Sequence, residues 1–546
     1  MAHSDSEEEQ EAFEDVEEDN EEDAEEEENF QAAEDATEGD DVSPSPAPPP
    51  RLRNRPISPS GARKKALRLT KVPRSFVVEA VCAIPHPAPT NALAASRCMT
   101  HLITGSEDGY IRDYDIFAAL NSKTFLSAPQ RHHTGVVEGL MKAGQHRFWW
   151  ENNLSSTFPG VDEDRILVPV HSLAMHSDAL WALAGTDSGP INLFTVRHEP
   201  GRLCHTLVGH RDLVSSLSLN HDEKSLFSAS WDGEAIQWDL NTGQKSRTFT
   251  SHGAQLTCIA VRPENAVYTE SGSPIMLRYE DESHQDSHTV DPSALAYGNS
   301  RLDSDAKSDA SFDPLFDDEP EEGHKTLLDG VSQAPTATAK PSLSTIAPPK
   351  GAPPLLDSQG YKAFSPDILM TAAIDGQIML WDKRVNTGVG RLWISEKTPP
   401  WCLSACWSAD GNQIYAGRRN GTVEIYDVRQ SGRATPDGPR LLKTLRNPSR
   451  SGVVSCVVGF PDNRHIACAS IDNIRLWNAD AIDSDAGRKG GTQFKVIPGH
   501  HGGFISQMLV DSGSRFLVSA SSNRSNRESQ GDSTRTVFVH DIQHVQ

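Results

Sequence analysis

Two adjacent histidine pairs, His132–His133 and His500–His501, and eight cysteines are the side chains of this 546-residue sequence best suited to holding a metal or acting as a nucleophile. Zinc needs three or four Cys, His or carboxylate ligands gathered at one point. Neither pair has Cys or carboxylate neighbours that complete such a set, and no CxxC occurs. The cysteines fall mostly in apparent strands (Cys82, Cys258, Cys406, Cys456 and Cys468) and read as buried thiols of a reducing compartment. Carboxylates are abundant, yet they cluster in polar runs where no rigid frame could hold an acid–base pair. GxxxxGK[ST], a helix-opening GxGxxG, HExxH and GxSxG are all absent from the sequence. The expectation is therefore no enzyme, no cofactor and no metal.

One histidine does have partners at a telling spacing. The segment GHRDLVSSLSLNHDEKSLFSASWDGEAIQWDL (Gly209–Leu240) sets Gly209–His210 about twenty residues ahead of Asp232–Gly233 and closes on Trp238–Asp239. Its runs LVSSLSL, SLFSAS and AIQWDL mostly alternate and are divided by HDEK and WDG turns, so they predict strands. A forty-residue unit with Gly-His early and Trp-Asp late resembles the WD-repeat family. That resemblance implies a four-stranded propeller blade. It also implies a structural tetrad, His210, Ser230, Asp232 and Trp238, whose imidazole, hydroxyl, carboxylate and indole N–H satisfy one another. A buried polar chain stabilises only when every member is paired, so these residues are expected to hold the blade rather than react.

Weaker copies recur from about Phe76 to Ile542, and seven can be counted. Asp108 and Tyr114 mark the first, Asp187 and Phe194 the second, and His210–Trp238 the third. The fourth begins at Ser251 and resumes at DILMTAAIDGQIMLWDKR (Asp367–Arg384). Asn420 replaces the turn Asp of the fifth, the sixth ends IRLWNA, and the seventh spans Gly499–Ile542. The fold expected is all-β, a seven-bladed propeller over residues 66–546. Ring closure removes exposed sheet edges. The last copy ends after its third strand, so its outer strand must come from elsewhere; ALRLTKV (Ala66–Val72) is the candidate.

Two insertions interrupt the array. Residues 277–363 are acidic, rich in Ser and Pro and poor in periodic apolar residues, and predict a disordered loop within blade four. Residues 131–153 follow blade one and carry Phe148, Trp149 and Trp150 beside Arg147. Two readings of these aromatics stay open: packing onto the propeller, or anchoring a partner, since Trp and Arg dominate interface hot spots.

Residues 1–41 hold 22 Asp or Glu and no Lys or Arg, so nearly all of the formal charge of −25 resides there. Such a block repels itself and predicts a disordered tail that disfavours nucleic-acid binding. Residues 42–65 form a Pro-rich basic linker in which Arg63, Lys64 and Lys65 suggest nuclear import, with Ser43, Ser45 and Ser58 each followed by Pro. The start, MAHSDSEEE, has no apolar core, and no run approaches 18 apolar residues, so neither a secretory signal nor a membrane span is expected.

The order of these parts (acidic head, Pro/basic linker, seven-fold array, HHTGVVEGL…RFWWEN after blade one, acidic insert in blade four) resembles the fungal WD-repeat subunits of the SAGA transcription coactivator, the suppressor-of-Ty "eight" type. That resemblance implies a nuclear, non-catalytic subunit that binds the TATA-binding protein and other SAGA subunits, with no sequence-specific nucleic-acid contact. Two other classes are compatible with shorter signals. Trp381-Asp382-Lys383-Arg384 fits, and Tyr426-Asp427-Val428-Arg429 nearly fits, the WDxR pattern of substrate receptors for cullin-four ubiquitin ligases. The acidic head would also suit a histone-binding assembly factor.

Overall fold

The computed structural model describes residues 71–136, 141–153, 166–250, 253–263, 352–356, 367–386, 388–394, 401–431, 439–480, 494–500, 503–522 and 535–545, with Leu67, Leu69, Thr398 and Pro399. The acidic stretch 1–41, the linker 42–65 with Arg63, Lys64 and Lys65, and most of 277–363 lie outside the described residues.

Alternating apolar runs bounded by Gly- and Asp-containing turns form seven sheets among these residues, antiparallel except where a two-residue strand, Lys142–Ala143, pairs parallel to Ser75–Pro85. After β1 (Ser75–Pro85), blade one consists of β2 (Thr90–Ala95), β3 (Leu102–Ser106), β4 (Tyr110–Asp115) and, past a short β5 (Lys142–Ala143), β6 (Gln145–Glu151). Blade two is β7 (Val170–Met175) to β10 (Leu203–Leu207), and blade three is β11 (Val214–Leu219), β12 (Ser225–Ser230), β13 (Glu234–Asp239) and β14 (Gln244–Thr250). Blade four has β15 (Leu256–Val261), β16 (Ile368–Ala373), β17 (Ile378–Asp382) and β18 (Gly388–Arg391). Blade five has β19 (Cys402–Trp407), β20 (Gln413–Arg418), β21 (Thr422–Ser431) and β22 (Pro439–Arg446). Blade six runs from β23 (Val454–Gly459) through β24 (His465–Ser470) and β25 (Ile474–Asn478) to β26 (Phe494–Ile497). Blade seven joins β27 (Phe504–Val510), β28 (Phe516–Ser522) and β29 (Thr536–Val545) to β1.

The ring is built from its inner strands. Each of the seven carries a bulge near its start, at Thr90/Ala92, Val170/Ser172, Val214/Ser216, Leu256/Cys258, Cys402/Ser404, Val454/Cys456 and Ile505/Gln507. A bulge leaves one residue out of the ladder and re-aims its side chain. At Ser215, Thr257 and Ser506 that residue is a hydroxyl, and each donates to a carbonyl of the next inner strand: Leu256 (2.7 Å), Cys402 (2.7 Å) and Thr90 (2.6 Å). Hydrogen bonds also run the other way, from Ile259 N to Ser216 Oγ, Val457 N to Ser404 Oγ and Leu93 N to Gln507 Oε1. Between these polar seams lie apolar clusters shared by neighbouring blades, such as Trp381 and Ile259 of blade four against Phe227 and Phe249 of blade three.

The clasp differs from the sequence expectation. The outer strand of blade seven is β1, paired antiparallel to β29 from Ser75↔Val545 to Pro85↔Thr536, and not Ala66–Val72. The physical reason is apolar content: SFVVEAVCAIP buries Phe76, Val78, Cys82, Ala83 and Ile84. Phe76 is fully buried against Phe460 at 5.1 Å and edge-on to His465 and His544. Leu67 and Leu69, by contrast, reach only the turn after β27, where Leu69 N donates to Ser512 O and Ser512 Oγ to Leu67 O.

The two insertions also contribute structure where they are described. Residues 145–151, expected as part of an insert, are the outer strand of blade one, paired from Tyr110↔Glu151 to Asp115↔Gln145 around a bulge at Arg147. Ahead of them lie α1 (Ile116–Asn121), capped by Asp115, and α2 (Ala128–Thr134), which opens on a reciprocal Ser127/Gln130 capping box. In the blade-four insertion, Ala352–Leu356 adds an edge to β18: Leu355 bridges Arg391, Leu356 N donates to Arg391 O, and Leu356 is buried.

Candidate functional site

In blade three, His210, Asp232 and Trp238 come together, but the hydroxyl they share is that of Ser228 and not Ser230. Trp238 Nε1 donates to Ser228 Oγ at 2.8 Å, and that hydroxyl lies 2.7 Å from His210 Nε2. His210 Nδ1 is 3.0 Å from Asp232 Oδ2, so the chain runs indole, hydroxyl, imidazole, carboxylate. Ser228 and Ser230 share a face of β12, since side chains alternate with period two. Register decides between them: Leu226 pairs with Trp238 and Ser228 with Ile236, which leaves Ser230 beyond the indole's reach. Ser230 Oγ instead donates to Asp212 O and accepts from Asp232 N. Gly209 is required by the same packing, because a Cβ there would stand 2.7 Å from the Trp238 ring.

Burial pushes the Asp232 carboxyl up, but the hydrogen bonds from His210 and from the N–H groups of Glu234 and Arg211 outweigh it and hold its pKa at about 2. The other blades place related groups at the Ser228 position. Thr371 accepts from Trp381 Nε1 at 2.8 Å in blade four, and Cys468 Sγ accepts from Trp477 Nε1 at 3.3 Å in blade six. Thr104 bonds His86 at 2.9 Å in blade one and Ser519 bonds His500 at 2.8 Å in blade seven. His540 takes the tryptophan's place in blade seven, opposite Leu517, and its ring contacts the carbonyls of Pro498 and Leu517. Blade five substitutes a buried ion pair: Arg418 Nε donates to Glu424 Oε2 at 2.7 Å, and Tyr426 Oη donates to the same oxygen. These histidines and carboxylates are spent on holding strands together. Among the described residues no group of three or more His, Cys, Asp or Glu is placed to hold a metal ion. Burial pushes the thiols of Cys456 and Cys468 up to about 11, which keeps them protonated and unreactive at neutral pH.

The aromatic segment separates into two roles on β6. Trp150 is 5 % exposed and packs on Phe194 of blade two at 6.1 Å, in one cluster with Ile111, Val170 and Leu173. Phe148 and Trp149 remain 42 % and 53 % exposed, although Trp149 stands edge-on to Tyr110 at 5.4 Å. Arg147 pairs with Asp115, which also caps α1. The structure therefore exposes Arg147, Phe148 and Trp149 along the outer strand of blade one, with Phe148 beside Trp150 at 6.5 Å and Trp149 on the opposite face against Tyr110, and turns Trp150 inward. Arg384 of the WDxR match is held by Asp382 through two hydrogen bonds of 3.0 and 2.6 Å. The Arg429 side chain lies outside the described residues.

A closed ring of seven sheets, with its polar side chains engaged in holding the blades and an aromatic pair exposed on one outer edge, defines a WD-repeat propeller. Its class is that of rigid discs that present surfaces. The SPT8 beta propeller family matches residues 76–543, and the chain belongs to that family. It is 33 % identical over 493 residues to the SAGA complex subunit SPT8 of Saccharomyces cerevisiae, covering 88 % of this chain and 74 % of that protein. It is 35 % identical over 449 residues to the SAGA complex subunit Spt8 of Schizosaccharomyces pombe, covering 81 % and 75 %. A weaker similarity, 24 % over 285 residues and 45 % of this chain, links it to the small ribosomal subunit protein RACK1 of Caenorhabditis elegans.

Proposed function

We propose that this chain is a non-catalytic, nuclear subunit of a SAGA-type transcription coactivator that binds the TATA-binding protein and regulates its recruitment to RNA polymerase II promoters. The observation that carries the reading is similarity over more than four fifths of the chain to SAGA subunits of two distant yeasts. Function in a propeller resides in surfaces carried by a rigid frame, and two features suit this one. The Phe148–Trp149 pair offers apolar area and ring faces of the kind that anchor partner subunits. The acidic stretches, Asp5–Asp41 and Glu280–Glu322, offer charge opposite to any surface built to hold DNA phosphate. Tethering weak anionic segments to a disc raises their local concentration beside its specific contacts.

Affinity purification of the tagged chain from its own cells, read by mass spectrometry, tests the assembly. Coactivator subunits and the TATA-binding protein are the expected co-purifying set. Recovery of a cullin adaptor or of histones alone would replace this reading with a ubiquitin-ligase receptor or an assembly factor.

A further inference from the structure

Blade five departs from its siblings at the turn between its second and third strands. Five of the other six repeats carry Asp there, at Asp108, Asp187, Asp232, Asp375 and Asp472, whereas blade five reads Arg418-Arg419-Asn420-Gly421. Register makes Arg418 the counterpart of Ser230, since Cys402 pairs with Arg418 as Val214 pairs with Ser230. Arg418 turns inward to Glu424 and is fully buried. Arg419 turns outward, and its guanidinium lies over the Trp401 ring at 4.6 Å. Trp401 itself has φ +117°, a backbone conformation that a bulky L-residue adopts only under strain.

Neighbouring turns extend this surface. Asn447 N donates to Gly421 O at 3.0 Å, and Ile471 N donates to Ser451 O at 3.2 Å, which ties the loop 447–452 to the turns of blades five and six. Arg446 and Arg450 are exposed on that loop and its entry, and Ile471 is 44 % exposed beside it. Arg419, Arg446 and Arg450 make no ion pair with the described residues. Two carboxylates of blades five and six are already committed. Glu424 belongs to Arg418 and Tyr426, and Asp472 is held by Arg475, Ser470 and Ser451.

We propose that Trp401, Arg419, Arg446 and Arg450 form a docking surface for an acidic peptide segment of a partner protein. Charge complementarity selects the occupant. Three guanidiniums without an ion pair among the described residues stand out on a chain of formal charge −25, and each presents a fork that fits a carboxylate with two hydrogen bonds. Trp401, already stacked by Arg419, supplies a ring face for an apolar side chain of the same segment. A nucleic acid fits less well. Its backbone needs a longer basic track than three arginines supply. This surface does not depend on the coactivator reading.

The test is fluorescence anisotropy of a labelled twelve-residue Asp/Glu-rich peptide carrying one Phe, titrated with the full-length chain. Saturable binding that weakens with added NaCl is expected. The Arg419→Glu/Arg450→Glu variant should weaken it by at least about tenfold, on the scale of losing interface hot spots. Lys224→Glu, in the turn at the opposite end of the strands, should leave it unchanged. Because both arginines are exposed, the double variant should melt like the parent, and Arg419→Gln/Arg450→Gln provides a milder pair. Absence of binding, or binding unaltered by both double variants, would overturn the proposal. So would tighter binding of a single-stranded oligonucleotide of equal length that the same variants abolish.

Discussion

Ser506 Oγ donates to the carbonyl oxygen of Thr90 at 2.6 Å, joining blade seven to blade one across 416 residues of sequence. The same bond recurs from Ser215 to Leu256 and from Thr257 to Cys402, so closure of the ring repeats a contact that other neighbouring blades make. What is particular to the closing blade is β1, which must return from the start of the array to complete it.

Closure should therefore be sensitive to β1. Phe76→Ala removes a fully buried ring packed on Phe460, and a loss of about 3–5 kcal/mol is expected in chemical denaturation. Ser506→Ala should cost about 1 kcal/mol, the usual net worth of one such hydrogen bond. Equal small losses for both would mean that blade seven is not clasped by β1.

The tetrad assignment makes a paired prediction. Ser228→Ala leaves the Trp238 indole N–H without its acceptor and His210 without its hydroxyl, and should cost about 2–4 kcal/mol. Ser230→Ala, which removes bonds only to Asp212 O and Asp232 N, should cost about 1 kcal/mol. The reverse order would restore Ser230 to the network.

Acid should unfold the disc in two stages. His86 and His540 are buried, and burial lowers both pKa values to about 4 from the ordinary 6.5. The unfolded chain then takes up their protons first, so stability falls as pH drops from about 6.5 towards 4. Asp232, held at about 2, contributes stability above the ordinary carboxyl range that is lost as pH falls from about 4 to 2. Melting curves from pH 7 to 2 should show both falls. Asp232→Asn should shrink only the lower one, and His540→Gln only the upper, since other hydrogen-bonded carboxylates such as Asp462 share the first and His86 shares the second.

The seven repeats were legible because each carries its own alternation and turn, as in SLFSASWDGEAIQWDL. What stayed hidden depended on distant register. Period two places Ser228 and Ser230 on one face, and only the pairing of Leu226 with Trp238 separates them. SFVVEAVCAIP reads as the first strand of its own repeat until β29, some 450 residues later, claims it. QHRFWWE fails to alternate, with four successive exposed residues before Trp150, so its part as an outer strand was masked. Ala352–Leu356 was lost in a Pro-rich composition, although Leu356 is buried against β18. Packing onto the propeller holds for Trp150, while Phe148 and Trp149 stay exposed and carry the anchoring proposal.

That division gives a direct test of the outer edge of blade one. Trp150→Ala should destabilise the fold by about 3–5 kcal/mol, whereas Trp149→Ala should change it by less than about 1 kcal/mol. If Phe148 and Trp149 anchor a partner, Phe148→Ala/Trp149→Ala should lose coactivator subunits in a pull-down while melting like the parent. Undiminished capture would leave both as surface aromatics without a partner.

Contact with the TATA-binding protein is the central claim, and equilibrium titration of the two purified proteins addresses it most directly. Full-length chain should bind saturably, with an affinity that falls as salt shortens the screening length to about 8 Å at physiological ionic strength. The chain lacking residues 1–41 should still bind, more weakly. Absence of binding by either form at tens of micromolar would contradict the claim.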